Sequence, residues 1–409
     1  MCPVAELRRS LGPLGAASIG VASMVGAGVF YVFAPASALA GDWVLLALAI
    51  AGALALLNAL SIAQLSLHYP ATGGVYSFAS RYLSPRAGFL AGWLFLVGKT
   101  ASAAAIALVA ARYLVPDYSG VLAALATVVF AAVNISGIRA TAAVSFAIAG
   151  VVVISLVVVS GVSFASPPAE AASSTGGAGG VAAAAGLMFF AFAGYARMAT
   201  LGGEVRHPTR VLPRVIVLTL VAVLGLYALV GYALLRALGS GALAISSAPV
   251  ADIAPEGVRG LVVAAAILAS LGSLMTVLAA LSRVSFAMSR EGDLPGVLSR
   301  VWDRTSSPAL AEATVALVAI VLVLTLDPVW LVGASSGSVL LYYAISHASA
   351  LAQPAPERVL WRAVPVLGLL GCVGLVATLP LPSLITTAVA VLVGLAIGEI
   401  RRRRPSISS

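Results

Sequence analysis

The chain has 409 residues, of which 61% are hydrophobic and 9% are charged, and its net charge is +9. A soluble domain carries roughly 25% charged residues, so this composition and a mean hydropathy of +1.09 predict a protein that crosses a membrane many times. Most of the arginines fall in short connectors between apolar segments, which excludes a nucleic-acid-binding patch. Cys2 and Cys372 are too few for a disulfide framework or a cysteine metal site.

Twelve apolar segments are long enough to be transmembrane helices, if each crossing takes about 20 residues. Connectors on one side carry most of the arginines, including those at 401–404, whereas the other side carries only Arg112, Arg236 and Arg259. Positively charged connectors favour the cytoplasm, so the bias predicts both termini there. The predicted spans are 12–39, 43–67, 87–112, 119–135, 141–164, 180–203, 212–238, 258–289, 308–326, 329–350, 363–380 and 382–400.

The first span contains three glycines, Gly20, Gly26 and Gly28, within its apolar run. Glycine weakens a helix and lets another backbone approach, and a helix in lipid must satisfy its backbone groups internally. The pattern predicts a broken helix whose free N–H groups face a small buried ligand. Close packing of helices through small residues is the alternative interpretation.

Lys99 is the only lysine in the chain and lies inside the third span. It follows Arg86 by about a dozen residues, or roughly 18 Å of helix, which is close to the middle of a bilayer. An ionisable group at that depth is a candidate functional residue. The alternative is a lysine that extends to the membrane interface, but the interface is far from this position.

The sixth span has an interruption like that of the first. Phe189, Phe190 and Phe192 surround a weak helical position at Ala193 and Gly194. Arg197 follows one turn later, and we interpret it as an inner gate or as a structural residue.

A linker rich in Pro, Ser, Ala and Gly, at residues 165–179, separates two halves of five spans each. The halves are residues 1–164 and 180–350, and residues 351–409 hold two further spans and a basic tail. Because five is odd, the halves insert with opposite orientation. Interruptions at corresponding places in such halves predict a binding site near the middle of the membrane.

The seventh and eighth spans carry three further residues of interest. Pro213 is expected in the first turn of the seventh span, where proline is favoured. Ser270 and Ser273 lie in the eighth span, where hydroxyl groups usually bond to carbonyl groups of their own helix. An ion site at these serines is the alternative.

Five motifs lie in order over the first eight spans, at 26–30, 70–76, 189–194, Glu204 with 208–213, and 282–295. Together they resemble the amino acid–polyamine–organocation (APC) superfamily of permeases. The resemblance implies an all-α, LeuT-like fold of two inverted five-helix repeats plus two C-terminal helices, with the first and sixth of twelve spans broken. It also implies alternating access for a free amino acid.

The resemblance also implies a substrate site. The substrate carboxylate would bind backbone N–H groups of the first span, the amine would bind carbonyl groups of the sixth, and an aromatic ring, Phe190, would close over it. The predicted substrate-binding residues are Ser23, Gly26, Ala27, Gly28, Phe189, Phe190, Ala191, Phe192 and Gly194.

Lys99 and Arg197 have no carboxylate of the chain at the same predicted depth, and an unpaired buried charge is costly. Either Lys99 is neutral in part of the cycle and carries a proton, or an anionic substrate neutralises it. We favour proton-coupled symport in the plasma membrane. Exchange without proton coupling, transport of acidic substrates, sodium coupling and a non-transporting nutrient sensor are the alternatives.

A membrane-embedded enzyme would need a metal-binding motif or paired carboxylates. The three histidines, His68, His207 and His347, are scattered, so we expect no enzyme, metal or cofactor. The expected partners are a free amino acid, a proton or sodium ion, and the lipid bilayer. The sequence gives no oligomeric state.

Overall fold

The computed structural model describes residues 12–69, 73–136, 142–165, 167–168, 176–195, 205, 208–302, 304–305 and 307–403. Within these residues nearly all of the chain is helical, and we number the α-helices in chain order. They are α1 Pro13–Met24, α2 Ala27–Tyr31, α3 Phe33–Ala40, α4 Val44–His68, α5 Val75–Tyr82, α6 Pro85–Leu114, α7 Ser119–Ile135, α8 Ala142–Ser163, α9 Val181–Phe192, α10 Pro208–Ile245, α11 Pro249–Asp252, α12 Glu256–Arg290, α13 Ala309–Thr325, α14 Pro328–Ala352, α15 Ala363–Thr378 and α16 Leu381–Arg403.

Ten stretches of the described chain are long and apolar enough to cross a membrane. Two of the twelve predicted spans correspond to shorter apolar helices, α13 with 17 residues and α15 with 16 residues. A crossing takes about 20 residues. The number of twelve spans therefore stays a prediction.

Helix α6 lies at the centre of the bundle, between α12 and α14. The alanines at 103–105 on α6 are fully buried, and small side chains let neighbouring helices approach closely. Gly98 lies directly against α14, because a Cβ atom added to it would stand 2.9 Å from the Cβ of Ser338. Nearby, the hydroxyls of Ser102 and Ser335 are hydrogen-bonded at 2.5 Å. These contacts fix the position of α6 and therefore of Lys99.

Helix α10 differs from the prediction at its start. It begins at Pro208, so Pro213 lies beyond the first turn and the prediction for Pro213 is wrong. The fixed φ of proline suits the first helical position, and Pro208 takes that position instead. Towards the other end, Gly239 has φ 72° and ψ 162°, a backbone conformation that glycine adopts without steric cost. The helix is therefore broken at Gly239.

A buried polar cluster joins α4, α14 and α15. The His347 Nδ1 atom lies 2.9 Å from the Ser61 hydroxyl, and the Nε2 atom lies 2.5 Å from Oδ1 of Asn58. The Cys372 thiol donates to the same Asn58 oxygen at 3.4 Å. Because an amide oxygen only accepts hydrogen bonds, His347 donates from Nε2 and accepts from Ser61 at Nδ1. The sequence had left these residues without a role.

Replacing His347 with alanine is expected to lower the free energy of unfolding by about 3 kcal/mol, because it opens a cavity and removes a buried partner from both Asn58 and Ser61. The measurement is the thermal unfolding of the purified protein in detergent. His68→Ala is the matched control, since His68 is exposed and its replacement should change stability by less than about 0.5 kcal/mol. Equal melting temperatures for both variants would contradict a stabilising cluster.

The connectors near α5 are tied together by side chains. The Tyr76 hydroxyl donates to Asp293 at 2.8 Å, and Arg401 forms an ion pair with the same carboxylate at 2.7 Å. Burial and the bond to Asp293 raise the pKa of Tyr76, so its phenol stays neutral and keeps donating. The Tyr82 hydroxyl donates to Glu357 at 2.6 Å. Helix α5 is thus fastened to the connector after α12, to the end of α16 and to the connector between α14 and α15.

Candidate functional site

The first interruption consists of Val25 and Gly26, which separate α1 from α2. Val25 has φ −78° and ψ 71°, and Gly26 has φ −117° and ψ −150°, so neither residue is helical. The N–H group of Gly26 donates to the carbonyl of Met24 at 2.8 Å. Beyond it, Val32 keeps helical angles between α2 and α3, so the helical course continues to Ala40.

The second interruption is the 3₁₀ turn Ala193–Tyr195, which follows the end of α9 at Phe192. Residues 196–204 lie outside the described residues, so the predicted gate Arg197, and Glu204, cannot be placed. The three phenylalanines of this segment are buried, and Phe190 is the most exposed of them at 7%. Phe189 packs edge-on against Tyr343, and Phe192 packs against Tyr227.

At the two interruptions, the two chain segments are in direct backbone contact. A Cβ atom added to Gly194 would overlap the carbonyl of Ser23, and one added to Gly28 would stand 2.5 Å from the Cα of Ala191. The Ser23 hydroxyl lies 3.1 Å from the carbonyl oxygen of Gly194 and 2.9 Å from that of Gly20 in its own helix. Side chains at either glycine would push the two segments apart, so the contact itself requires glycine at both positions.

Lys99 is 8% exposed, and its ammonium group donates to the carbonyl of Ala193 at 3.0 Å. Ala193 is the C-terminal cap of α9, and a helix C-terminus carries partial negative charge that attracts cations. Among the described residues, no carboxylate forms an ion pair with Lys99. The lysine that the sequence singled out therefore contacts the second interruption through a backbone oxygen.

A tyrosine that the sequence analysis missed touches both interrupted helices. The hydroxyl of Tyr227, on α10, lies 2.7 Å from the carbonyl oxygen of Met24 and 3.2 Å from that of Ala191. Met24 ends α1 and Ala191 lies in the last turn of α9. A hydroxyl group within a predicted span was the available signal, but its partners could not be read from the sequence.

Ser273 lies on the face of α12 that approaches the first interruption, and Ser270 precedes it by about one turn. A Cβ atom added to Gly26 would overlap the hydroxyl of Ser273. Thr276 donates to the carbonyl of Ser273 within its own helix at 2.8 Å, as expected for a hydroxyl in a membrane helix. In the described part of the chain, by contrast, the hydroxyls of Ser270 and Ser273 are buried without a hydrogen-bond partner. Nor do the described residues contain a group of three or more histidine, cysteine, aspartate or glutamate side chains that could hold a metal ion.

These features define a polytopic membrane protein in which two interrupted helices and several polar side chains meet inside the helix bundle. Comparison with known proteins gives the family. The family model described as "Amino acid permease" matches residues 11–397, so the chain belongs to the amino acid permease family.

Three relatives illustrate the breadth of that family. An uncharacterized transporter of Mycobacterium tuberculosis is 43% identical, and the match covers 97% of this chain and 92% of the relative. A branched-chain amino acid permease of Bacillus subtilis is 24% identical over 75% of this chain and 72% of its own length. A serine/threonine exchanger of the same organism is 25% identical over 79% of this chain and 78% of its own length. These relatives are named as transporters, permeases or exchangers, and the chain is accordingly a transporter-family membrane protein and not an enzyme.

Proposed function

We propose that the protein is a secondary active amino acid transporter that couples substrate movement to protons by alternating access. The observation that carries this proposal is the backbone contact between the two interruptions, with the ammonium group of Lys99 bonded to one of them at 3.0 Å. Non-helical backbone inside a membrane protein is tolerated where it is buried in protein or lines a cavity. Discontinuous helices of this kind bind substrate near the middle of secondary transporters.

In this proposal the substrate lies between the two interruptions. Its carboxylate binds backbone N–H groups at Gly26, Ala27 and Gly28, where the helix resumes, and replaces the carbonyl of Met24 as the acceptor of the Gly26 N–H. Its amine binds carbonyl oxygens near Ala191, at the negative end of α9. The assignment of Phe190 as a gate is supported by its greater exposure than the neighbouring phenylalanines. We keep Arg197 as a proposed inner gate on the sequence alone.

Lys99 is the proposed proton carrier. A protonated lysine binds the carbonyl of Ala193 with a charge-assisted hydrogen bond, whereas a neutral amine binds it less strongly. A buried lysine changes its protonation readily. Loss of the proton therefore weakens the link between α6 and the second interruption, which lets α9 move relative to α6.

Sodium coupling is the second candidate, and a specific observation favours it. In the described part of the chain, the buried hydroxyls of Ser270 and Ser273 have no hydrogen-bond partner, and Ser273 faces the first interruption. Hydroxyl and carbonyl oxygens are ligands that hard cations accept. A sodium ion at this place would satisfy both serines.

We further propose the topology that the sequence predicts. It comprises twelve spans with both termini in the cytoplasm, two inverted repeats at 1–164 and 180–350, and residence in the plasma membrane. The bias of arginines towards one set of connectors supports it.

The test begins with thermal unfolding of the purified protein against the standard amino acids and polyamines, at an acidic and a neutral pH. We expect at least one amino acid to raise the melting temperature. That amino acid should then accumulate in proteoliposomes under an inward proton gradient without sodium, and a protonophore should abolish the accumulation.

Other outcomes distinguish the alternatives. Accumulation that requires a sodium gradient would favour the site at Ser270 and Ser273, and should then be lost in Ser273→Ala. Flux only against internal amino acid would indicate an exchanger, and stabilisation without flux a sensor. Absence of both stabilisation and flux for every amino acid would contradict the proposed function.

A further inference from the structure

The Tyr227 hydroxyl connects the two interrupted helices. Its side chain is fully buried, and its ring packs against Phe192 with the ring centroids 5.2 Å apart. One turn further along α10, a Cβ atom added to Gly231 would stand 2.6 Å from the ring of Phe33, so α10 lies close against α3. The Tyr227 hydroxyl is thereby held between the ends of α1 and α9.

The two acceptors of this hydroxyl are carbonyl oxygens of the same kind. The carbonyls of Met24 and Ala191 belong to the last turns of α1 and α9, where the regular pattern of amide donors four residues ahead ends. The Met24 carbonyl also accepts the N–H of Gly26 at 2.8 Å, and a carbonyl oxygen has a second lone pair for a further donor. Both helix ends also carry partial negative charge. A tyrosine hydroxyl has one proton, so it can donate fully to only one of two oxygens that lie 2.7 and 3.2 Å away.

An ammonium group suits this pair of oxygens better than a hydroxyl. It has three N–H donors and a positive charge, so it can donate to both carbonyls at once and is attracted by both helix ends. Charge-assisted hydrogen bonds are also roughly twice as strong as neutral ones.

We propose that the Tyr227 hydroxyl and the substrate ammonium group compete for the carbonyls of Met24 and Ala191, and that the ammonium group displaces the hydroxyl on binding. The proposal rests on the proposed function and adds a residue of α10 to it. It makes Tyr227 a competitor of the substrate and a positioning residue for both interrupted helices. It also requires substrates with at least two N–H donors on the amine.

The test compares Tyr227→Phe with wild type and with Tyr113→Phe. Tyr113 is a matched control because its buried hydroxyl also donates to a backbone carbonyl, that of Phe30, at 2.8 Å, in α2 one turn after the first interruption. The probe is the standard amino acid that most stabilises the wild type, and its dissociation constant is measured by titration of thermal stability. We expect the dissociation constant to be about fivefold lower in Tyr227→Phe, because this variant lacks one hydrogen bond that competes with the substrate. We expect no change of the dissociation constant in Tyr113→Phe.

A merely structural role would lower the melting temperature of Tyr227→Phe and leave its dissociation constant unchanged, which would overturn the proposal. If Tyr227→Phe does not fold, the wild type is titrated with the N,N-dimethyl derivative of the same amino acid, whose protonated amine has a single N–H. Binding of that derivative as tight as the parent would also overturn the proposal, and weak binding would support it. If no amino acid stabilises wild type or Tyr113→Phe, the proposed function itself fails.

Discussion

Replacing Lys99 with methionine is expected to abolish proton-driven accumulation of substrate in proteoliposomes, while exchange of substrate across the membrane continues. Methionine has a similar length but no group that titrates, so the proton loses its carrier. With one proton per substrate, a gradient of about one pH unit can drive about tenfold accumulation in wild type. In Lys99→Met the ratio should fall to about one and the pH dependence of uptake should disappear.

Two further variants separate titration from structure. Lys99→Arg keeps a cation near the carbonyl of Ala193 but cannot release its proton, so it should fold and still show no pH dependence. Thr100→Val is the matched control, since the Thr100 hydroxyl bonds only within its own helix, to Leu96 at 2.7 Å. If accumulation in Lys99→Met depends on pH as strongly as accumulation in Thr100→Val, Lys99 is ruled out as the proton carrier.

Replacing Gly194 with alanine is expected to lower the free energy of unfolding by about 2 kcal/mol or more and to abolish stabilisation by substrate. The added Cβ atom would overlap the carbonyl of Ser23 and stand 2.8 Å from the amide nitrogen of Met24. Both are backbone atoms, so no side chain can rotate away, and the two interruptions must separate. Thermal unfolding with and without the stabilising amino acid measures both effects.

Gly272→Ala is the control for that experiment. Gly272 lies within α12, and no atom stands within 4 Å of a Cβ added to it. Alanine is favoured over glycine inside a helix by about 1 kcal/mol, so this variant should be at least as stable as wild type. Similar behaviour of Gly194→Ala and Gly272→Ala would contradict a required backbone contact between the interruptions.

The sequence predicted candidate site residues where a residue type is unusual for the segment that contains it. A single lysine in an apolar run and glycines in the middle of a predicted span pointed to Lys99, Gly26 and Gly28 without any partner being known. The family resemblance ordered these signals, and the family itself is confirmed by the match over residues 11–397.

Contacts between distant segments could not be predicted in this way. Tyr227 lies 203 residues from Met24 in the chain, and His347 lies 286 residues from Ser61, so only the packing of helices brings each pair together. For hydroxyl groups the rule of bonding within the helix holds for Thr276. It does not describe Ser273, because Gly26 of the first interruption lies against that side chain.

The bond between Lys99 and Ala193 has a consequence for mutational surveys. The lysine is bound by the peptide oxygen of residue 193, which is already an alanine. An alanine scan would therefore leave residue 193 unchanged and would not detect its role as the acceptor. Only chemistry that alters the main chain, such as an ester in place of the amide that follows Ala193, would weaken that acceptor while every side chain stays as it is.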